Sequence, residues 1–200
     1  MTTEVDICNR ALSRLGTAAT IASLDEDSTE ARHCAIWYAA TRDALLRAAD
    51  WNFARRREEL ADMGSPPTGW DYRYAVPTDC VRVLRLASAT NAAPLPFEIA
   101  GASTSRVLFT DQEDAELIYT ARVEEPTLFD AGFAAALVDQ LAANIAYPIT
   151  QKTEIAVRLA QMARSSFEHA VASDANEQVA SAEALPESLA VRGYDGTDLE

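Results

Sequence analysis

Apolar residues recur with a helical period near the start of the chain and predict a first helix. Thr3 is a candidate N-cap with Asp6 as its capping partner, and Gly16 follows the last turn as a stop signal. The apolar face comprises Val5, Cys8, Leu12 and Leu15. We expect this helix to form an antiparallel pair with the helix that follows, although two helices cannot bury both apolar faces unaided.

A long periodic segment, residues 28–49, predicts the second helix. Asp27 is a candidate N-cap, and Glu30 three residues later completes a capping-box-like pair. The apolar face comprises Cys34, Tyr38, Thr41, Leu45 and Ala48. The charged residues Arg32, Asp43, Arg47 and Asp50 fall mostly off that face. We therefore expect one buried side and one solvated side.

Between residues 70 and 123 the pattern changes to that of strands. Trp70, Tyr72 and Tyr74 alternate with charged residues, the period of a half-buried strand. Further strand candidates are 80–87, 95–99, 106–110 and 115–122, with 111–114 as a hairpin loop between the last two. A loop rich in proline and glycine, residues 63–69, precedes this region. The pattern predicts a small antiparallel sheet inserted into a helical protein.

Two more helices are predicted after the sheet. Asp130 caps a helix over 131–147 that Pro148 ends, and the surface of this helix is apolar nearly all round. Such a helix is buried or lies in a subunit interface. A fourth helix opens at Thr150 or Gln151 and continues towards Ala175. The prediction is an α+β fold in which two N-terminal and two C-terminal helices form a four-helix-bundle-like core.

The chain is thereby divided into four predicted units. They are a helical pair over 1–62, a β insert over 63–125, a second helical pair over 126–176 and a tail over 177–200. Apolar periodicity fades in the tail, which holds six acidic residues and one basic residue. Such a segment cannot bury enough surface to fold alone, so we expect an extended or disordered tail that becomes ordered on docking.

Composition and charge disfavour several classes of function. The chain of 200 residues carries a formal net charge of −14, which disfavours nucleic-acid binding because that affinity comes largely from lysine and arginine. Cys8, Cys34 and Cys80 show no metal or disulfide spacing and are expected to be reduced and buried. With His33 and His169 as the only histidines, no zinc site is expected. We expect neither a cofactor nor a membrane span.

No set of residues predicts an active site, and we expect no enzyme. The adjacent pairs Glu58–Glu59 and Glu124–Glu125 match a glycosidase only in residue type, because neighbouring side chains usually point apart. The one basic cluster is Arg55, Arg56 and Arg57, which fits either a phosphate contact or ion pairs within or between subunits. Trp51 and Phe53 fit either an interface anchor or a plug between bundle and sheet.

Several segments together resemble the tail tubular protein A family, the head-to-tail adaptors of short-tailed bacteriophages. They are Leu24–Ala31 (LDEDSTEA), Tyr38–Arg57 (YAATRDALLRAADWNFARRR), Asn9-Arg10-Ala11-Leu12 with Leu15-Gly16, and Glu125–Asp130 (EPTLFD). The resemblance covers roughly residues 4–175 and rests on the order and spacing of these segments. No single one of them is diagnostic by its chemistry.

The resemblance implies a structural protein of the virion neck, made in the host cytoplasm. Proteins of this family form a ring, a dodecamer, that joins the portal protein to the tail nozzle protein and lets genomic DNA pass without specific binding. The C-terminal extensions of these proteins bind the portal protein. Carried over to this chain, the portal-binding residues are Leu185, Leu189, Val191, Arg192 and Tyr194. The alternative is a virion-associated peptidoglycan hydrolase.

Overall fold

A computed structural model of the protein describes residues 2–88, 93–102 and 105–177. The tail residues predicted to bind the portal, from Leu185 to Tyr194, lie outside this range. The described residues form an α+β fold, as predicted. The helices are α1 (Glu4–Arg14), α2 (Thr29–Ala48), α3 (Ala131–Thr150) and α4 (Thr153–Asn176), and the strands are β1 (Arg55–Glu59), β2 (Tyr72–Ala75), β3 (Cys80–Leu86), β4 (Glu98–Gly101), β5 (Arg106–Thr110) and β6 (Glu116–Ala121). Short 3₁₀ helices occupy Asn52–Ala54 and Pro126–Leu128.

Helix α3 is the centre of the helical part. It packs against α1, α2 and α4, whereas α1 and α2 touch each other only over a short stretch. The pairing predicted for the first two helices is therefore replaced by packing of each on α3. This arrangement explains why α3 is apolar nearly all round, since three helices cover it. Core residues with fully buried side chains include Ile7, Leu12, Leu46, Phe133, Leu137, Leu141 and Ile145.

The N-termini of the first two helices are capped by short polar side chains. At α1, Thr3 and Asp6 form the predicted capping box, with bonds of 3.1 and 2.9 Å between each side chain and the other residue's backbone N–H. At α2 the prediction was wrong by one residue, because Ser28 is the N-cap and accepts from the Ala31 N–H. Asp27 instead pairs with a neighbouring arginine.

Pro148 does not end α3, contrary to the prediction. The helix continues to Thr150, where Gln151 takes a left-handed conformation (φ 54°) and its N–H donates to the Tyr147 carbonyl. Proline removes one hydrogen bond from a helix but does not prevent the next turn from forming. Helix α4 accordingly begins later than predicted, at Thr153.

The strands form two antiparallel three-stranded sheets instead of the single predicted sheet. One has the order β1-β6-β3 and the other β2-β5-β4. Because β5 and β6 lie in different sheets, residues 111–114 connect the sheets and do not form the predicted hairpin loop. The sheets share an apolar core of their own, which includes Leu60, Tyr74, Val76, Leu86, Leu108, Leu117 and Tyr119.

Strand β1 was not predicted. Its five residues, Arg55–Glu59, are all charged, so no alternation of apolar and polar positions marks them as a strand. They pair with β6 from Arg55 opposite Thr120 to Glu59 opposite Glu116. An edge strand can be polar throughout when neither of its faces is needed to complete the core.

Candidate interaction surfaces

The Trp51–Phe53 segment lies in the helical core, where α2 ends and the chain passes into β1. Trp51 is fully buried, and its indole N–H donates to the Leu45 carbonyl at 2.9 Å. Its ring meets the rings of Phe133 and Phe167 edge-on, with centroids 5.1 and 6.0 Å away. Phe53 is partly buried beside Phe133. These aromatics fix the exit of α2 against α3 and α4.

Asn52 ties this segment to the last turn of α4. Its backbone N–H donates to the Asp174 carboxylate at 3.1 and 3.2 Å, and its side-chain amide donates to the Asp174 carbonyl at 2.7 Å. Asp174 is only 5% exposed. The two residues are 122 positions apart, so periodicity and local motifs do not reveal this contact. The contact holds the end of α4 beside the start of β1.

Burial raises the pKa of Asp174, since desolvation outweighs the hydrogen bond from the Asn52 N–H. A carboxylate with a raised folded-state pKa lowers stability above that pKa, and this penalty disappears as the pH falls through it. We expect Asp174→Asn to be more stable than the wild type at neutral pH, because the amide oxygen still accepts from Asn52. The difference should shrink on acidification.

Urea denaturation at neutral and acidic pH measures this effect. Asp174→Ala is the matched variant, and it should be less stable than Asp174→Asn by about 1–3 kcal/mol because the Asn52 N–H loses its acceptor. A wild type that is more stable than Asp174→Asn at neutral pH would contradict the expectation.

The three arginines of the basic cluster each pair with a carboxylate of the same chain. Arg57 makes a two-pronged contact, and the hydrogen bond from its guanidinium holds the pKa of the Glu116 carboxyl below its ordinary value. The other two pairs measure 2.8 and 2.9 Å between nitrogen and oxygen. The pairs are Arg55–Asp50, Arg56–Asp79 and Arg57–Glu116. This arrangement neutralises much of the cluster's positive charge.

An open cleft beside β1 contains two basic side chains, Arg56 and Arg122. Both are engaged, because Arg122 pairs with Asp43 at 2.9 Å and Arg56 pairs with Asp79. A phosphate entering the cleft would have to displace one of these carboxylates. The arrangement therefore favours ion pairs that connect the helices to the sheets over an anion-binding site.

The glutamates of the two adjacent pairs do not converge on a common point. Glu58 reaches β6, where it accepts from the buried Tyr119 hydroxyl at 2.9 Å, and the same hydroxyl lies 3.1 Å from Asp79. Glu124 reaches α2 and contacts the Arg42 guanidinium. Glu125 stays within its own turn, where it accepts from the Thr127 backbone N–H and caps the 3₁₀ helix. These three carboxylates thus have separate structural partners.

The outward side of α2 is exposed, as predicted, and Arg32 and Arg47 lie on it, but most of its exposed residues are apolar. Ile36 is 59% exposed and Trp37 is 39% exposed. Asp43, which was expected on the solvated side, pairs instead with Arg42, whose side chain is only 6% exposed. We call the exposed apolar residues of this helix the α2 face: Ala35, Ile36, Trp37, Ala39, Ala40, Ala44 and Ala48.

Helix α3 lies beside α2 and has an exposed aromatic residue of its own. The Asn144 amide, late in α3, donates to the Thr41 hydroxyl in the middle of α2 at 2.8 Å. Trp51, just after α2, contacts Phe133 at the start of α3. The two helices are therefore antiparallel. One turn back from Thr41 is Trp37, and one turn forward from Asn144 is Tyr147, which is 58% exposed. Trp37 and Tyr147 therefore lie at about the same level of neighbouring helices, and both are exposed.

Other kinds of site are not found in the part of the chain that the structure describes. Over residues 2–88, 93–102 and 105–177, no group of histidine, cysteine and carboxylate side chains is arranged to hold a metal ion. Within the same ranges no helix has the length and apolar character that crossing a membrane requires. The three cysteines are free and buried, as predicted. The α2 face and the open edge of β1 remain as candidate interaction surfaces.

Comparison with protein families and with curated proteins gives no relative for this chain. It matches no protein-family model. It also has no significant match among curated proteins.

Proposed function

We propose that the protein is a structural adaptor of a short-tailed bacteriophage that forms a ring between the portal and the tail nozzle. The observation that carries the proposal is the α2 face, an exposed apolar helix surface on an otherwise acidic chain. The resemblance of residues 4–175 to tail tubular protein A supports a ring between the portal and the tail nozzle as the form of the assembly. On this proposal the protein has no catalytic activity.

The physical reason for assembly is the contrast between the α2 face and the rest of the surface. Contiguous exposed apolar surface marks interaction sites, and tryptophan is enriched among the residues that dominate binding energy. Burying Ile36 and Trp37 against a neighbour would remove their apolar surface from water at roughly 25 cal/mol per Å². Electrostatic repulsion between subunits of charge −14 opposes assembly of a ring until a template supplies compensating contacts.

The same acidity suits a channel for DNA. A ring of twelve copies would carry 12 × −14 = −168 formal charges, some of them facing the lumen. A negative wall repels the phosphate backbone weakly and lets it slide, whereas a basic wall would hold it. The internal pairing of Arg55, Arg56 and Arg57 is consistent with such a wall.

The test is coexpression with the portal protein encoded in the same genome, followed by electron microscopy of the purified complex. We expect the chain alone to form no ring and to associate at most weakly, and to form a ring in the presence of the portal. A chain truncated after Asn176 is the control, and it should keep its melting temperature but lose portal attachment. Absence of any complex with the portal would contradict the proposal, and a clearing zone on peptidoglycan would favour a hydrolase.

A further inference from the structure

The outer edge of β1 is a regular and open strand edge. In the sheet β1-β6-β3, β1 pairs on one side with β6, and Arg56, Arg57, Glu58 and Glu59 are exposed. Among the described residues no second strand pairs with β1. The opposite edge strand, β3, is interrupted by two register shifts, and irregular edges of that kind resist further pairing.

The register shows which backbone groups of β1 are free. Leu60 lies opposite Ala115, and its N–H donates to the Ala115 carbonyl, so this is a hydrogen-bonded pair. Hydrogen-bonded and non-hydrogen-bonded pairs alternate along antiparallel strands. Arg56 and Glu58 therefore bond to β6, while the N–H and C=O groups of Arg57 and Glu59 point away from it.

The sequence of β1, Arg-Arg-Arg-Glu-Glu, is complementary in charge to itself when it is reversed. Two antiparallel copies centred on Arg57 place Arg55 opposite Glu59 and Arg56 opposite Glu58, each twice. Opposite charges in directly facing positions stabilise a strand pair. Arg55 and Arg56 also keep their contacts with Asp50 and Asp79 of the same chain, so the facing glutamates add a second carboxylate to each arginine. The one like-charged pair, Arg57 with Arg57, is moderated because each Arg57 is already paired with Glu116.

We propose that β1 pairs with β1 of a second copy of this chain, antiparallel and with Arg57 at the two-fold axis. The Arg57 N–H of each copy donates to the Arg57 carbonyl of the other, and the Glu59 N–H donates to the Arg55 carbonyl. This gives four hydrogen bonds and one continuous six-stranded sheet. The Arg55 N–H, which already donates to the Asn52 carbonyl, is not needed in this register.

The two-fold contact differs from the ring of the proposed function. It uses the same edge in both copies and closes after two, so it cannot be repeated around a ring. The β1 dimer is therefore a state of the free chain, and the inference does not depend on the adaptor role. Strand addition at an open edge draws its affinity from main-chain hydrogen bonds and its specificity from the facing side chains.

Sedimentation equilibrium of the full chain tests the pairing. We expect a concentration-dependent dimer in the wild type. Arg57→Pro removes an N–H that makes no bond to β6, so the variant should fold, but dimer association should fall by at least about tenfold because both central hydrogen bonds are lost. Arg57→Thr is the matched control, since it keeps the N–H and removes the like-charged pair, and its association should equal or exceed that of the wild type.

A second variant keeps the test decisive if Arg57→Pro does not fold. Glu59→Lys changes an exposed side chain and puts a second positive charge opposite Arg55 of the other copy, so dimer association should again fall. Equal loss of association in Arg57→Pro and Arg57→Thr would overturn the proposal, because it would implicate the side chain and not the strand edge. A wild type that stays monomeric at high concentration would also overturn it. If dimers formed only after the chain was truncated at Asn176, the tail would be occupying the β1 edge in the full chain. That result would also overturn the proposal.

Discussion

Trp51→Ala is expected to lower the free energy of unfolding by about 3–5 kcal/mol, the range for large aromatics removed from a core. The side chain is fully buried and packs edge-on against Phe133 and Phe167, which belong to α3 and α4. Its removal opens a cavity between three helices and leaves the Leu45 carbonyl without its indole donor. Urea denaturation followed by circular dichroism measures the loss.

Trp37→Ala is the matched control for this prediction. The substitution is chemically the same, but Trp37 is 39% exposed, so its removal should cost about 1–2 kcal/mol, well below the loss for Trp51. If the two variants lost the same stability, Trp51 would not have the structural role that its contacts indicate.

Trp37→Glu is expected to block assembly on the portal while the chain stays folded. The substitution places a charge at the largest side chain of the α2 face, where a neighbouring subunit would have to desolvate it. Loss of a hot-spot tryptophan from an interface typically costs about 2 kcal/mol or more, which corresponds to roughly thirtyfold weaker binding. Electron microscopy of the coexpressed complex and sedimentation of the variant alone provide the measurement.

Gln161→Glu is the control for charge alone. Gln161 lies on the exposed side of α4, outside the α2 face, so the same added negative charge should leave assembly intact. Rings that form equally well with Trp37→Glu would remove the α2 face from the interface. That result would leave the proposed function without its main structural support.

The regular elements were largely predictable from the chain. Strand β5 has the bounds that its pattern predicts, residues 106–110, and the capping box of Thr3 and Asp6 forms as expected. Where the pattern failed, tertiary contacts were responsible. The charged strand β1 carries no alternation, and its place is set by pairing with β6. Assignment of β5 and β6 to different sheets depends on long-range pairing that local pattern does not contain.

The candidate surfaces were predicted less well, for two physical reasons. Alanine contributes little to an apolar pattern, so the row of alanines on the outward side of α2 does not mark that side as apolar. Arg42 carries a charge, which gives no sign of burial, although contacts with Asp43 and Glu124 allow its side chain to be buried. Trp51 stands out in the sequence as a large aromatic, but the partner of Asn52, at position 174, cannot be found from local sequence.

The central position of α3 has a consequence for how the chain folds as it is synthesised. Helices α1 and α2 emerge first, yet the helix on which both pack is complete only at Thr150. About 100 residues separate the end of α2 from that point, which corresponds to roughly 5–20 s of translation. The sheet core is already complete at residue 121. The β insert can therefore fold on the ribosome before the helices that precede it. The apolar faces of α1 and α2 stay accessible to chaperones until α3 has been synthesised.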